Sequence, residues 1–148
     1  TRMDQLGRCR AALRQRGVPF REDVPVGCLI EIPAAALLAG EIIDGGARFL
    51  VIDVDDLTQY TCGVSRKEAG PAYRADNPAV LRLVRGVLEA AKARGVPVHL
   101  CGITQAELPA LSAYLRTGVR SFCTENAYLS PLKATLMDVD LRTAPEST

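Results

Sequence analysis

Helical repeats that stop on glycine, each followed by a short run of β-branched residues, restrict this chain to alternating helices and strands. Apolar residues recur at helical spacing over residues 6–16, 78–94 and 106–117, and the three stretches close on Gly17, Gly95 and Gly118. A further helix over 34–43 opens behind Pro33, where proline suits the first turn, and ends at Asp44-Gly45-Gly46. Apolar runs follow the stops at 24–32, 47–54, 96–100 and 119–123, which predicts four strands. A closing helix over 129–137 and a polar tail over 142–148 complete the chain.

Alternation of this kind predicts an α/β fold with a parallel sheet. Runs such as Cys28-Leu29-Ile30 and Phe49-Leu50-Val51-Ile52 are apolar at consecutive positions, as in strands buried on both faces. Right-handed crossovers between neighbouring strands place every helix on one side, so the other side must face something. Either the strand order is shuffled with helices on both faces, or the sheet curves and closes. A complete eight-unit barrel takes about 250 residues. Four units in 148 residues correspond to half of one.

Composition removes several function classes. The formal net charge is +1, which gives no electrostatic case for nucleic acid or an acidic membrane surface. The longest apolar run, 34–39, is far short of the roughly 20 residues a membrane helix needs. Five cysteines without a C-x-x-C pair, and His99 as the single histidine, rule out zinc-finger and redox motifs. They predict buried thiols in a reducing compartment, hence the cytoplasm. The chain begins at Thr1 rather than Met, as expected of an excised piece of a longer protein.

In parallel α/β folds the working groups lie at the carboxyl ends of strands. The first strand ends Ile30-Glu31-Ile32-Pro33 and the second ends Asp53-Val54-Asp55-Asp56, so two adjacent ends offer carboxylates. Such groups suit a hard divalent cation shared with a phosphate-bearing substrate. The same aspartates equally suit the start of a loop that caps the next turn. The third strand ends His99-Leu100-Cys101-Gly102 and the fourth ends Phe122-Cys123-Thr124. A strand-end cysteine reads first as a small buried hydrophobe. His99 reads as a core or supporting residue, and Arg82-Leu83-Val84-Arg85 as a solvated helix face. No G-x-x-x-x-G-K-[ST] or G-x-G-x-x-G loop is present to cradle a nucleotide.

Four stretches are more specific than that. Ile30-Glu31-Ile32-Pro33-Ala34-Ala35, then Asp56-Leu57-Thr58-Gln59-Tyr60 with Arg66 six residues on, then Asn77-Pro78-Ala79-Val80-Leu81-Arg82-Leu83, then Cys101-Gly102, occur in this order. Together they resemble the C-terminal barrel domain of phosphoenolpyruvate-utilising enzymes, most of all enzyme I of the bacterial sugar phosphotransferase system, with pyruvate phosphate dikinase and phosphoenolpyruvate synthase behind it. The resemblance runs from Gly7 to about Lys133.

The resemblance implies the second half of a phosphoenolpyruvate-binding (β/α)8 barrel over residues 1–141. It implies Glu31 and Asp56 as ligands of Mg²⁺ or Mn²⁺, Arg66 as the contact to the phosphoryl group, and Cys101 as the acid that protonates the enolate carbon when pyruvate forms. Gly102 and Asp55 fall at substrate-binding positions. The implied partners are phosphoenolpyruvate or pyruvate, together with the missing barrel half or a second copy of the chain. The implied reaction moves a phosphoryl group to a histidine on another domain or chain, and a proton-donating Cys101 is expected to be reachable and more reactive than Cys28.

The family's Gly-Thr-Asn-Asp becomes Asp53-Val54-Asp55-Asp56 here, its Cys-Gly-Glu becomes Cys101-Gly102-Ile103, and the Asp before its arginine becomes Ser65. Asp55 thereby puts a charge where the family has an amide that donates to substrate. These departures suit a non-catalytic interaction or regulatory module that keeps the fold.

Overall fold

The computed structural model describes residues 2–65, 67 and 73–140, with residues 2 and 3 as backbone only. The boundary expected at 141, the tail at 142–148 and Arg66 lie outside the described residues. The elements are α1 (Arg2–Gln15), β1 (Gly27–Ile30), α2 (Pro33–Leu37), α3 (Ala39–Asp44), β2 (Phe49–Asp53), α4 (Val54–Cys62), α5 (Pro78–Ala93), β3 (Val98–Cys101), a 3₁₀ turn (Leu108–Ala110), α6 (Leu111–Thr117) and α7 (Asn126–Asp138). No described helix is long and apolar enough to cross a membrane.

The three strands form a parallel sheet in sequence order. Its register aligns Ile30, Ile52 and Leu100 in one layer, all fully buried beneath the helices. The stops behave as their glycines require: Gly17, Gly95 and Gly118 take φ of 63°, 67° and 106°, a region in which any other residue is strained. Helix α5 lies at the centre of the covering layer, packing on α2, α3, α4 and α6. It buries Val80, Val84, Val87 and Ala91 along one stripe, while Arg82 and Arg85 stay exposed.

Three expectations need correction. Four strands are expected and three form among the described residues, because the run 119–123 pairs with β3 through one residue, Phe122 opposite Leu100. The Leu100 N–H donates to Ser121 O at 2.9 Å and the Cys123 N–H to Leu100 O at 2.8 Å. At Gly102, with φ of 78°, the backbone then turns away before a second pair can be made. Burial on both sheet faces is also wrong. Side chains one position from the buried layer point to the other face, where Leu29 is 45% exposed and Val51 and His99 are half-buried. The helix over 34–43 is in fact two, broken at Leu38, which leaves Leu37 and Leu38 exposed.

The Asp53-Val54-Asp55-Asp56 segment starts a nine-residue helix, α4, rather than a loop, while the expected capping of the next turn is present. Its cause is local: the Asp53 side chain accepts the free N–H groups of Asp55 and Asp56 in the first turn. The thiols are less buried than expected, since Cys9 and Cys123 are exposed.

Candidate active site

The expected site residues gather at the carboxyl ends of the strands, except Arg66. The strand register extends upward from the buried layer. One position beyond Ile30, Ile52, Leu100 and Phe122 stand Glu31, Asp53, Cys101 and Cys123, a row across the end of the sheet. Asp53 is paired directly with Cys101. Beside them lies an open cleft of about 430 Å³, lined by Asp53, Asp56, Cys101, Gly102, Thr104 and Cys123 among others.

Asp53 organises this rim. Its Oδ1 accepts the amides of Asp55 at 3.1 Å and Asp56 at 3.3 Å, and its Oδ2 accepts the Cys101 thiol at 3.7 Å. Gly102 makes the approach possible, because a Cβ there would lie 2.4 Å from Asp53 Oδ1. Burial pushes the Cys101 thiol from its ordinary 9.0 up to about 12, with the negative charge and hydrogen bond of Asp53 adding to the rise and Cys123 and Glu31 contributing further. Cys101 therefore holds its proton at neutral pH. Such a thiol is a weak nucleophile at neutral pH, since the thiolate is the reacting form.

Asp55 and Asp56 both line the cleft but differ in burial and in partners. Asp56 is half-buried at the cleft, and its Oδ1 accepts from Gln59 Nε2 at 3.0 Å. Asp55 is 4% exposed, and its Oδ1 accepts from the Tyr73 hydroxyl at 3.1 Å and from Gln59 Nε2 at 3.4 Å. Its carboxylate is thus engaged within the fold. Glu31 is half-buried directly after β1. Among the described residues no three His, Cys, Asp or Glu side chains form a group that could hold a metal ion. Two carboxylates from adjacent strand ends fit Mg²⁺ or Mn²⁺ only with water and substrate oxygens completing the shell.

Two residues of this region were not singled out from the sequence. Glu107 is 1% exposed, with Oε1 accepting the Tyr73 hydroxyl at 2.8 Å and Oε2 accepting the Thr104 amide at 2.8 Å and its hydroxyl at 2.5 Å. Glu107 and Tyr73 thereby tie the loop after β3 to the segment before α5 and to Asp55. Thr104 three residues before Glu107 is a capping spacing, the one local signal that could have found it. His99 is half-buried with Nδ1 2.7 Å from Ser121 Oγ, in keeping with a supporting residue.

Similarity to known proteins extends over nearly the whole chain. Residues 2–141 match the family model described as PEP-utilising enzyme, PEP-binding domain. A probable phosphoenolpyruvate synthase of Methanocaldococcus jannaschii is 36% identical over 104 residues, 69% of this chain and 9% of that protein. The phosphoenolpyruvate-protein phosphotransferase of Borreliella burgdorferi is 40% identical over 92 residues, 61% of this chain and 16% of that protein. The enzyme of the same name from Chlamydia trachomatis is 33% identical over 123 residues, 82% of this chain and 21% of that protein. The chain thus spans from under a tenth to about a fifth of the length of these relatives. With parallel strands that end in a carboxylate- and thiol-bearing rim, and a family match over nearly its whole length, this chain belongs to the PEP-binding domain family of the PEP-utilising enzymes.

Proposed function

We propose that this chain is the second half of a phosphoenolpyruvate-binding barrel in a phosphotransferase, contributing the metal site and the carbon acid to phosphoryl transfer onto a histidine of another domain or chain. The observation that carries the reading is Cys101: it stands at the end of β3, in the cleft with Asp56, and keeps its proton at neutral pH. A group that must deliver a proton to the enolate carbon has to hold one beforehand. Asp53, through its bond to Sγ, keeps the proton on sulfur and fixes where it points.

Glu31 and Asp56 would hold Mg²⁺ or Mn²⁺. When bound, the ion neutralises charge developing on the phosphoryl oxygens. Arg66, lying outside the described residues, is the cation that this half would bring to the phosphoryl group. The sheet face bearing Leu29 and Val51 awaits the other half of the barrel or a second copy, because an apolar face of that kind is poorly kept in water.

A second reading, a non-catalytic module of the same descent, is favoured by Asp55. The family's donating amide is a carboxylate here, turned to Tyr73 and Gln59 inside the fold. Calorimetry with phosphoenolpyruvate separates the two. The enzyme reading expects weak binding that needs Mg²⁺ or Mn²⁺ and falls further in Glu31→Gln, with the fold intact by circular dichroism. Absence of binding, or binding indifferent to metal and to Glu31→Gln, overturns it in favour of the module. The chain alone should release no pyruvate above background, since only Arg66 of the required cations and no acceptor histidine are on it.

A further inference from the structure

We propose that Cys101 and Cys123 form a reversible disulfide across the strand-end cleft, a redox-modification site that takes a low-molecular-weight disulfide as its oxidant. The geometry is that of the row described above. Leu100 and Phe122 are bridge partners, and Cys101 and Cys123 each lie one residue beyond that bridge, adjacent in register without a ladder pair of their own. Alternation along each strand directs both side chains to the face opposite the buried Leu100, and both line the same cleft. At the Leu100–Phe122 bridge the chains have the spacing of neighbouring strands, about 4.8 Å, so one residue further on the two Cα atoms start within or close to the roughly 4.4–6.8 Å that a disulfide spans. The stretch that carries Cys123 is held to β3 through one pair only, so it can adjust while the bond closes. Because Cys123 is exposed, the bond stays within reach of a thiol that reduces it again.

The two thiols have different parts. Cys123 is exposed and meets the oxidant first. Its sulfur, losing the thiol proton, attacks one sulfur of RSSR, the S–S bond breaks, and RS⁻ leaves with the electron pair and takes up that proton as RSH. The Cys101 thiol, half-buried behind it and slow to react because it holds its proton, gives that proton up as its sulfur attacks the Cys123 sulfur, and the expelled second RS⁻ takes the proton. In sum, two cysteine thiols are oxidised to one disulfide and RSSR is reduced to two RSH. The product has no proton on Cys101. Loss of carbon protonation therefore follows, and that consequence alone rests on the role given to Cys101 above.

The test treats the folded chain with oxidised glutathione, blocks free thiols, digests with trypsin without reduction, and maps the peptides by mass. Expected is a linkage between residues 95–116 and 121–133, short of two hydrogens, in chain that runs as a monomer on a non-reducing gel. It should disappear with dithiothreitol and in Cys123→Ser, and persist in Cys62→Ser. Recovery of Cys101 as a free thiol, as a lasting glutathione adduct, or linked to Cys9, Cys28 or Cys62 overturns the proposal. The mapping needs no phosphoenolpyruvate, so its failure and that of the proposed function are read separately.

Discussion

Replacing Gly102 by alanine perturbs the one backbone position that lets β2 and β3 meet around a shared carboxylate. At φ of 78° an alanine is strained by roughly 1–2 kcal/mol. Its Cβ would also sit 2.4 Å from Asp53 Oδ1 and 3.0 Å from the Asp55 nitrogen. The carboxylate must rotate away, and with it goes the cap of α4, worth about 1 kcal/mol. The expected cost is therefore about 2–3 kcal/mol, which for a domain of this size is a fall in Tm of roughly 5–10 °C. Urea unfolding of Gly102→Ala, Asp53→Gly and the double variant resolves the parts. Without the Asp53 side chain the alanine should cost only its backbone strain, so the cycle should show coupling of about 1 kcal/mol. Additive effects, or a Gly102→Ala cost below about 0.5 kcal/mol, would refute the claim that Gly102 is there for the Asp53 carboxylate.

Glu107→Ala removes the acceptor of the Tyr73 hydroxyl and of both Thr104 donors in a buried setting, and thermal unfolding should show a loss of about 2–4 kcal/mol; a loss below 1 kcal/mol would mean water replaces the carboxylate. Cys101 makes stability fall as the solution turns alkaline: between its ordinary 9.0 and about 12 the unfolded thiol has lost its proton while the folded one retains it, so the unfolded state binds fewer protons and stability drops with rising pH. Asp53→Asn lessens both the charge and the acceptor strength, so that alkaline drop should shrink and the pH profile of Cys101 alkylation should move to lower pH; an unmoved profile contradicts the assignment. Sedimentation at micromolar concentration should show self-association through the face that carries Leu29, weakened by Leu29→Glu, and a compact monomer of the unaltered chain would count against it.

The helical repeats, the glycine stops and the parallel α/β class were legible in the sequence, because periodicity and left-handed caps are properties of a few consecutive residues. So was the acidic rim, since Glu31 and Asp53 to Asp56 sit where apolar runs break off. Residues far apart in the chain were not. Tyr73 meets Glu107 across 34 positions and Cys101 meets Asp53 across 48, and neither separation leaves a periodic trace. Strand number also escaped the sequence: residues 119–123 have the composition of a strand, yet a ladder exists only where a partner continues alongside, and β3 turns away at Gly102. In the same way Asp55 and Asp56 look interchangeable in sequence and become different groups at the same cleft once one is buried against Tyr73 and the other stays half-buried. Local propensity thus settled which elements form, and packing in three dimensions decided which side chains share a site.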